Sequence, residues 1–154
     1  MATSRVPAAV DALLAILRAA PALDDVLILD GPPTNGLTGN QRLYVGWTPD
    51  GGPAVALSQD FNAAGARTRD ETFAINCYAE VSSGDIDMHV QRTRVFELVG
   101  AVETALRATN EATMAPTLSN TVLWSHLTAG DLSQEQGEGA RAGLVFMVSC
   151  MARI

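Results

Sequence analysis

The sequence predicts a single domain of the α/β (α+β) class, with a mostly antiparallel or mixed sheet packed against two main helices. Three observations carry that expectation. From Glu71 to Val81 the residues alternate, with Phe73, Ile75, Cys77, Ala79 and Val81 on one face and Thr72, Asn76, Tyr78 and Glu80 on the other. A period of two over that length marks a half-buried strand. Further on, Val95, Leu98, Val99, Val102 and Leu106 recur at helical spacing, with Arg92, Arg94, Glu97, Glu103 and Arg107 left for the remaining surface. Finally, the chain has 154 residues, 47% of them hydrophobic and 18% charged, which suits one folded domain with a sizeable core.

The elements follow in order. Pro7, a good first-turn residue, opens a helix that reaches Ala20, with Ser4 as a cap, a stripe of Val10, Leu13, Leu14 and Leu17, and Pro21 as its stop. Arg5 followed by the apolar run Val6–Leu17 has the outline of a signal peptide. Pro7 and Asp11 interrupt that run, however, and Arg18 closes it too early for a membrane span, so the segment reads as an amphipathic helix with no membrane role. The apolar run Val26-Leu27-Ile28-Leu29 predicts a strand covered on both faces. A loop dense in turn formers spans Gly31–Asn40. Gln41–Thr48 and Ala54–Gln59 read as two strands of a hairpin turning at Pro49-Asp50-Gly51-Gly52-Pro53. Phe61–Asp70, with Arg67 and Arg69, reads as an exposed loop.

After the central strand, Ser82–Asp85 break the alternation, and Ser83 or Asp85 is the expected cap of the long helix. Glu103 and Arg107 stand four apart on it in the favourable order, worth roughly 0.2–0.5 kcal/mol. Ala108–Asn120 is a connection, Thr121–Leu127 a strand with Trp124 and a partly buried His126, and Ala129–Gly139 an acidic loop. Ala140–Ile154 closes the chain as a strand so apolar that both faces should be covered, within the subunit or by a neighbour. With two helices to cover five or six strands, burial by other subunits is the expectation.

Chemical signatures are scarce. Gly31-x-x-x-x-Gly36-Leu37-Thr38 follows a strand, as a phosphate-binding loop would, but Leu37 stands where that motif needs a lysine and the chain continues as a strand. Without the ammonium group and a helix N-terminus the loop reads as a surface turn. Asp85 and His89, at i and i+4 with Asp87 nearby, lack a third ligand and are accounted for by a helix's preference for acids in its first turn. The two cysteines, Cys77 and Cys150, lie in apolar strands without metal-ligand spacing; they read as buried free thiols, or as a disulfide if their strands are adjacent. The formal charge of −7 disfavours non-specific attraction to nucleic acid or anionic lipid. No catalytic, cofactor-binding or metal-ligating residues are assigned, and the reading is not that of an enzyme. Three polar loops on a sheet-and-helix body suit a protein that works through contacts.

The order of elements resembles the tail terminator proteins of long-tailed phages, the tail-completion or head–tail joining family. The resemblance lies in pattern and order, and it is carried by "DETFAINCYAEV" in the central strand, "RVFELVGAVETALR" in the long helix and "GARAGLVFMVSCMARI" at the end. It implies a virion structural protein, assembled in the host cytoplasm, that forms a hexameric ring on the tail tube. The ring would end tube elongation and join the tail to a head-completion or neck protein, with genomic DNA passing through the lumen without specific binding. Arg67 and Arg69, with Glu135 and Glu138, are then expected in loops that meet a neighbour or line an end face, and Phe146 and Met147 on opposite faces of the sheet that supports the ring. Alternative readings are another neck component, a tail tube subunit, or a small ligand-binding or enzymatic α/β domain, the last requiring a concave pocket with convergent polar groups.

Overall fold

The computed structural model describes residues 3–111 and 114–154. In chain order the elements are α1 (Val6–Ala19), β1 (Leu27–Asp30), β2 (Gln41–Val45), β3 (Val55–Phe61), β4 (Arg69–Ser82), α2 (Met88–Arg107), β5 (Trp124–Gln136) and β6 (Ala140–Arg153), with short 3-10 turns at Pro21–Leu23 and Ala115–Thr117. Residues 112 and 113 of the expected connection lie outside the described residues.

The alternating stretch is the middle of β4, and β4 is the spine of a six-stranded mixed sheet in the order β1-β2-β4-β6-β5. β6 pairs antiparallel with β4 from Asp70↔Arg153 to Ser82↔Arg141. On the other side of β4 lie two strands in succession, β2 against Cys77–Val81 and β3 against Arg69–Ile75. The expected hairpin is therefore corrected: β2 and β3 run in the same direction, each antiparallel to β4, and do not pair with each other. Asn76 is the hinge of the arrangement. Its carbonyl accepts from Gly46 N at 2.8 Å and its N–H donates to Ala54 O at 3.0 Å. The Pro- and Gly-rich string between them loops out, and the chain rejoins the same edge. Its Nδ2 also donates to Pro53 O at 2.9 Å, which holds the excursion at its exit.

Both helices pack on one face of the sheet. Phe73, Ile75, Cys77, Ala79 and Val81 of β4 meet Ala142, Leu144, Phe146, Val148 and Cys150 of β6 in register, all buried beneath Leu13, Leu17, Val95, Leu98, Val99 and Val102. α2 starts one residue after Asp87, whose carboxylate accepts from His89 N at 3.1 Å and Val90 N at 3.5 Å. Asp87 is thus the cap, not Ser83 or Asp85, a contact worth about 1 kcal/mol. α1 spans Val6–Ala19, and Ser4 Oγ accepts from Val6 N at 3.0 Å.

Among the described residues no helix lies over the opposite face of the sheet, which corrects two expectations. β1 is the outermost strand and is covered on one side: Ile28 points into the core, while Leu27 is 37% exposed. In β6 the even-numbered residues are buried, but Arg141, Met147 and Arg153 on the other face are exposed and Val145, Ser149 and Met151 half-buried. Two predicted loops are also shorter than expected. Phe61–Asp70 shrinks to residues 62–68, and Ala129–Gly139 shrinks to the turn 137–139 because β5 continues to Gln136. β5 starts at Trp124 instead of Thr121 and carries a bulge between Ala129 and Leu132.

No helix among the described residues is long and apolar enough to cross a membrane.

Candidate assembly surfaces

Three surfaces are built by this topology: the uncovered face of the sheet, and its two margins. On the uncovered face Tyr44, Trp47 and Tyr78 form an aromatic cluster with ring centroids 5.0–6.0 Å apart. Gly143 of β6 leaves the space that Tyr78 occupies, since a Cβ there would collide with the phenol ring. Farther along the face, Trp124 and His126 sit with ring centroids 4.8 Å apart, both exposed, so His126 is not the partly buried residue expected. A shallow trough runs past Trp124, Ala74, Thr72 and Ala56.

At the upper end of this face a chain of charges crosses four strands. Arg42 of β2 lies 3.9 Å from Glu80 of β4, Glu80 lies 3.6 Å from Arg141 of β6, and Arg141 lies 3.9 Å from Glu135 of β5. Beside it a cleft of about 410 Å³ is walled by Asn40, Ser82–Gly84 and the β5–β6 turn. Gly139 closes that turn against Ser83 O, where a Cβ would strike backbone. Among the described residues no three His, Cys, Asp or Glu side chains are placed to hold a metal ion. Asp85 lies before α2, so it does not share a helical face with His89.

The six residues expected at interfaces are distributed over the whole molecule. Arg67 is exposed in the β3–β4 turn and makes no ion pair among the described residues. Arg69 is not a loop residue: it opens β4 half-buried and donates from Nη1 to Gln59 Oε1 at 3.1 Å. Glu135 is on strand β5, tied to Arg141, and Glu138 is exposed in the β5–β6 turn. The arginines and glutamates stand at opposite ends of β4, about 40 Å apart at strand rise, so no subunit brings them together. Phe146 is 1% exposed in the core and Met147 37% exposed on the uncovered face, opposite faces as expected.

The margins were not singled out from sequence. β1 pairs only with β2, β3 only with β4 and β5 only with β6 among the described residues, so one margin is formed by β1 and β3, the other by β5, and each presents a free row of peptide groups. Their neighbourhoods are apolar: Leu57 is 51%, Phe61 66% and Leu123 55% exposed. The sequence signal is Val55, Leu57 and Phe61 at alternate positions, interrupted by Gln59.

Cys77 and Cys150 are free and buried. Their strands are adjacent, but Cys77 faces Phe146 and Cys150 faces Phe73. Four residues of offset place them about 13 Å apart along the ladder, beyond disulfide reach.

No protein-family model matches the chain, and no curated protein matches it.

Proposed function

We propose that the chain is a virion structural protein of the tail terminator kind, acting by assembly into a closed ring and not by chemistry. The observation that supports this reading best is the pair of free margins on opposite sides of one sheet. An unprotected strand edge invites pairing, and soluble proteins ordinarily blunt it with bulges, charges or covering elements. Here the six residues of β5 below its bulge and the seven of β3 carry exposed apolar side chains instead. Copies joined margin to margin bury what a lone subunit leaves open, and a head-to-tail contact whose rotation closes gives a ring. A net charge of −7 fits a collar around DNA, because its surface would not hold passing phosphates. Docking to the tail tube on one end and to a neck protein on the other would then use the two ends of the sheet, where Arg67 and Glu138 stand exposed.

Native mass spectrometry with negative-stain imaging of the purified protein tests the reading. A discrete six-subunit annulus is expected. Open tubes of indefinite length would favour a tail tube subunit instead, and a two-fold dimer that persists at all concentrations would overturn the ring.

A further inference from the structure

We infer that neighbouring subunits join by pairing β3 of one copy with the lower half of β5 of the next, so that one sheet continues from subunit to subunit. The inference rests on the head-to-tail ring proposed above and names the surface that makes it.

Strand polarity comes first. β3 and β6 both run antiparallel to β4, and β5 runs antiparallel to β6. β3 and β5 therefore point in opposite directions on opposite sides of the sheet. A second copy set alongside without being turned over brings its β5 antiparallel to the first copy's β3. That is the more favourable mode of pairing.

The peptide groups are in phase as well. Asn62 N donates to Thr68 O and Asn76 N donates to Ala54 O, so the even-numbered residues of this edge bond towards β4. Val55, Leu57, Gln59 and Phe61 consequently direct their N–H and C=O groups outward. The same alternation in β6, fixed by the mutual bonds of Arg69 and Ile154, leaves Ser125, Leu127 and Ala129 of β5 directed outward.

One register runs the length of β3: Val55 opposite Ala129 through Asp60 opposite Trp124, with Phe61 beside Leu123, which precedes β5 and whose N–H already donates to Met151 O at 2.7 Å. The pairing stops at the register shift after Ala129, where Gly130 and Asp131 of β5 stand against Val145 alone and the alternation of outward peptide groups is broken. It sets Leu57 against Leu127 and Phe61 against Leu123, covering three of the most exposed apolar side chains of these margins. On the uncovered face it sets Ala56 against Thr128, Ser58 against His126 and Asp60 against Trp124. Asp60, which makes no ion pair among the described residues, then lies diagonal to His126, within reach of the imidazole edge. A shift of two residues would run Ala56 into the bulge at Gly130 and leave Phe61 facing Ser125.

Cysteine pairing in the full-length protein tests the register. Ala56 and Thr128 are both exposed, and in this register they form a non-hydrogen-bonded pair with the Cα separation of about 4.5 Å that a disulfide tolerates. Ala56→Cys protein mixed with Thr128→Cys protein is expected to give a covalent dimer under a mild oxidant, while each variant alone gives none; Ser58→Cys with Thr128→Cys reports the shifted register. A dimer from Thr128→Cys alone would mean two-fold β5 pairing and overturn the inference, as would a ring whose mixed variants do not cross-link, or a protein that stays monomeric and unlinked. Cross-linking within open filaments would uphold the edge pairing while overturning the closed ring.

Discussion

The carboxylate of Glu71 accepts a hydrogen bond from the backbone N–H of Arg5 at 2.8 Å, joining the start of α1 to the start of β4 across 66 residues of sequence. Glu71 is fully buried, and its other oxygen accepts from Gln59 Nε2 at 2.5 Å. Gln59 in turn donates to Thr3 O and accepts from Arg69 Nη1. One ionised side chain thereby fixes the first helix to the central strand and to the β3 margin.

This arrangement sets a pH dependence. Burial pushes the Glu71 carboxyl up, but hydrogen bonds from Ser4, Gln59 and Arg5 N, with the charge of Arg69, outweigh it and hold the carboxyl below its ordinary value. A depressed folded-state pKa contributes stability that is complete above the unfolded value of about 4.3 and lost as the pH falls through the lower folded value. Glu71→Gln should lower the thermal midpoint at pH 7 and flatten its decline on the acid side. Glu71→Ala, which strands buried donors, should cost about 2–3 kcal/mol in urea unfolding.

The contact between Tyr78 and Gly143 gives a second test. Gly143→Ala should destabilise the fold by about 1–3 kcal/mol because the buried phenol ring has to move. Tyr78→Val should relieve most of that penalty, so the double variant is less destabilised than the sum of the two single changes, as measured by chemical denaturation. Gly139→Ala should not be relieved in this way, because it meets the Ser83 backbone.

Phe146 and Met147 are consecutive but should behave oppositely. Phe146→Ala opens a cavity in the centre of the core and should cost about 3–5 kcal/mol. Met147→Ser lies on the uncovered face and should change stability by less than about 0.5 kcal/mol. Urea midpoints of the two variants decide the matter.

The thiols provide a fourth prediction. Burial pushes Cys77 and Cys150 up to about 12. Neither forms an appreciable thiolate near neutrality, and thiolate is the reactive form. A colorimetric disulfide reagent should label neither cysteine in the native protein at pH 8 and both in guanidinium chloride. Fast native labelling would contradict the packing around them.

Much of this fold is legible in the sequence where one face of an element is buried and the other is not. β4 shows its alternation because Phe73, Ile75, Cys77, Ala79 and Val81 face the helices while Thr72, Asn76, Tyr78 and Glu80 do not. α2 shows its stripe for the same reason. β5 is hidden because Ser133, Gln134, Glu135 and Gln136 are exposed on both sides at an edge. Nothing in their side chains distinguishes them from a loop; the pairing with β6 makes them a strand. The missed hairpin has a different cause. A string such as Pro49–Pro53 announces that the chain leaves a strand, but not whether it returns reversed or in line, and that choice was settled by β4 offering fourteen residues of edge to two short strands. Charge and loop position single out Arg67, Arg69, Glu135 and Glu138 in the sequence, and the apolar final strand singles out Phe146 and Met147. The exposed margins depend on which strands end up outermost, and that is known only when the whole sheet is laid out.

The excursion between Gly46 and Ala54 bears on how the molecule could be handled. Asn76 grips both of its roots, Thr48 Oγ1 and Gly52 N bond to Asp50 within it, and its tip at Gly51 and Gly52 is free of the sheet. A foreign peptide spliced in at that tip would dangle from a clamped base and leave every ladder intact, which makes these two glycines the natural port for a tag or fluorophore.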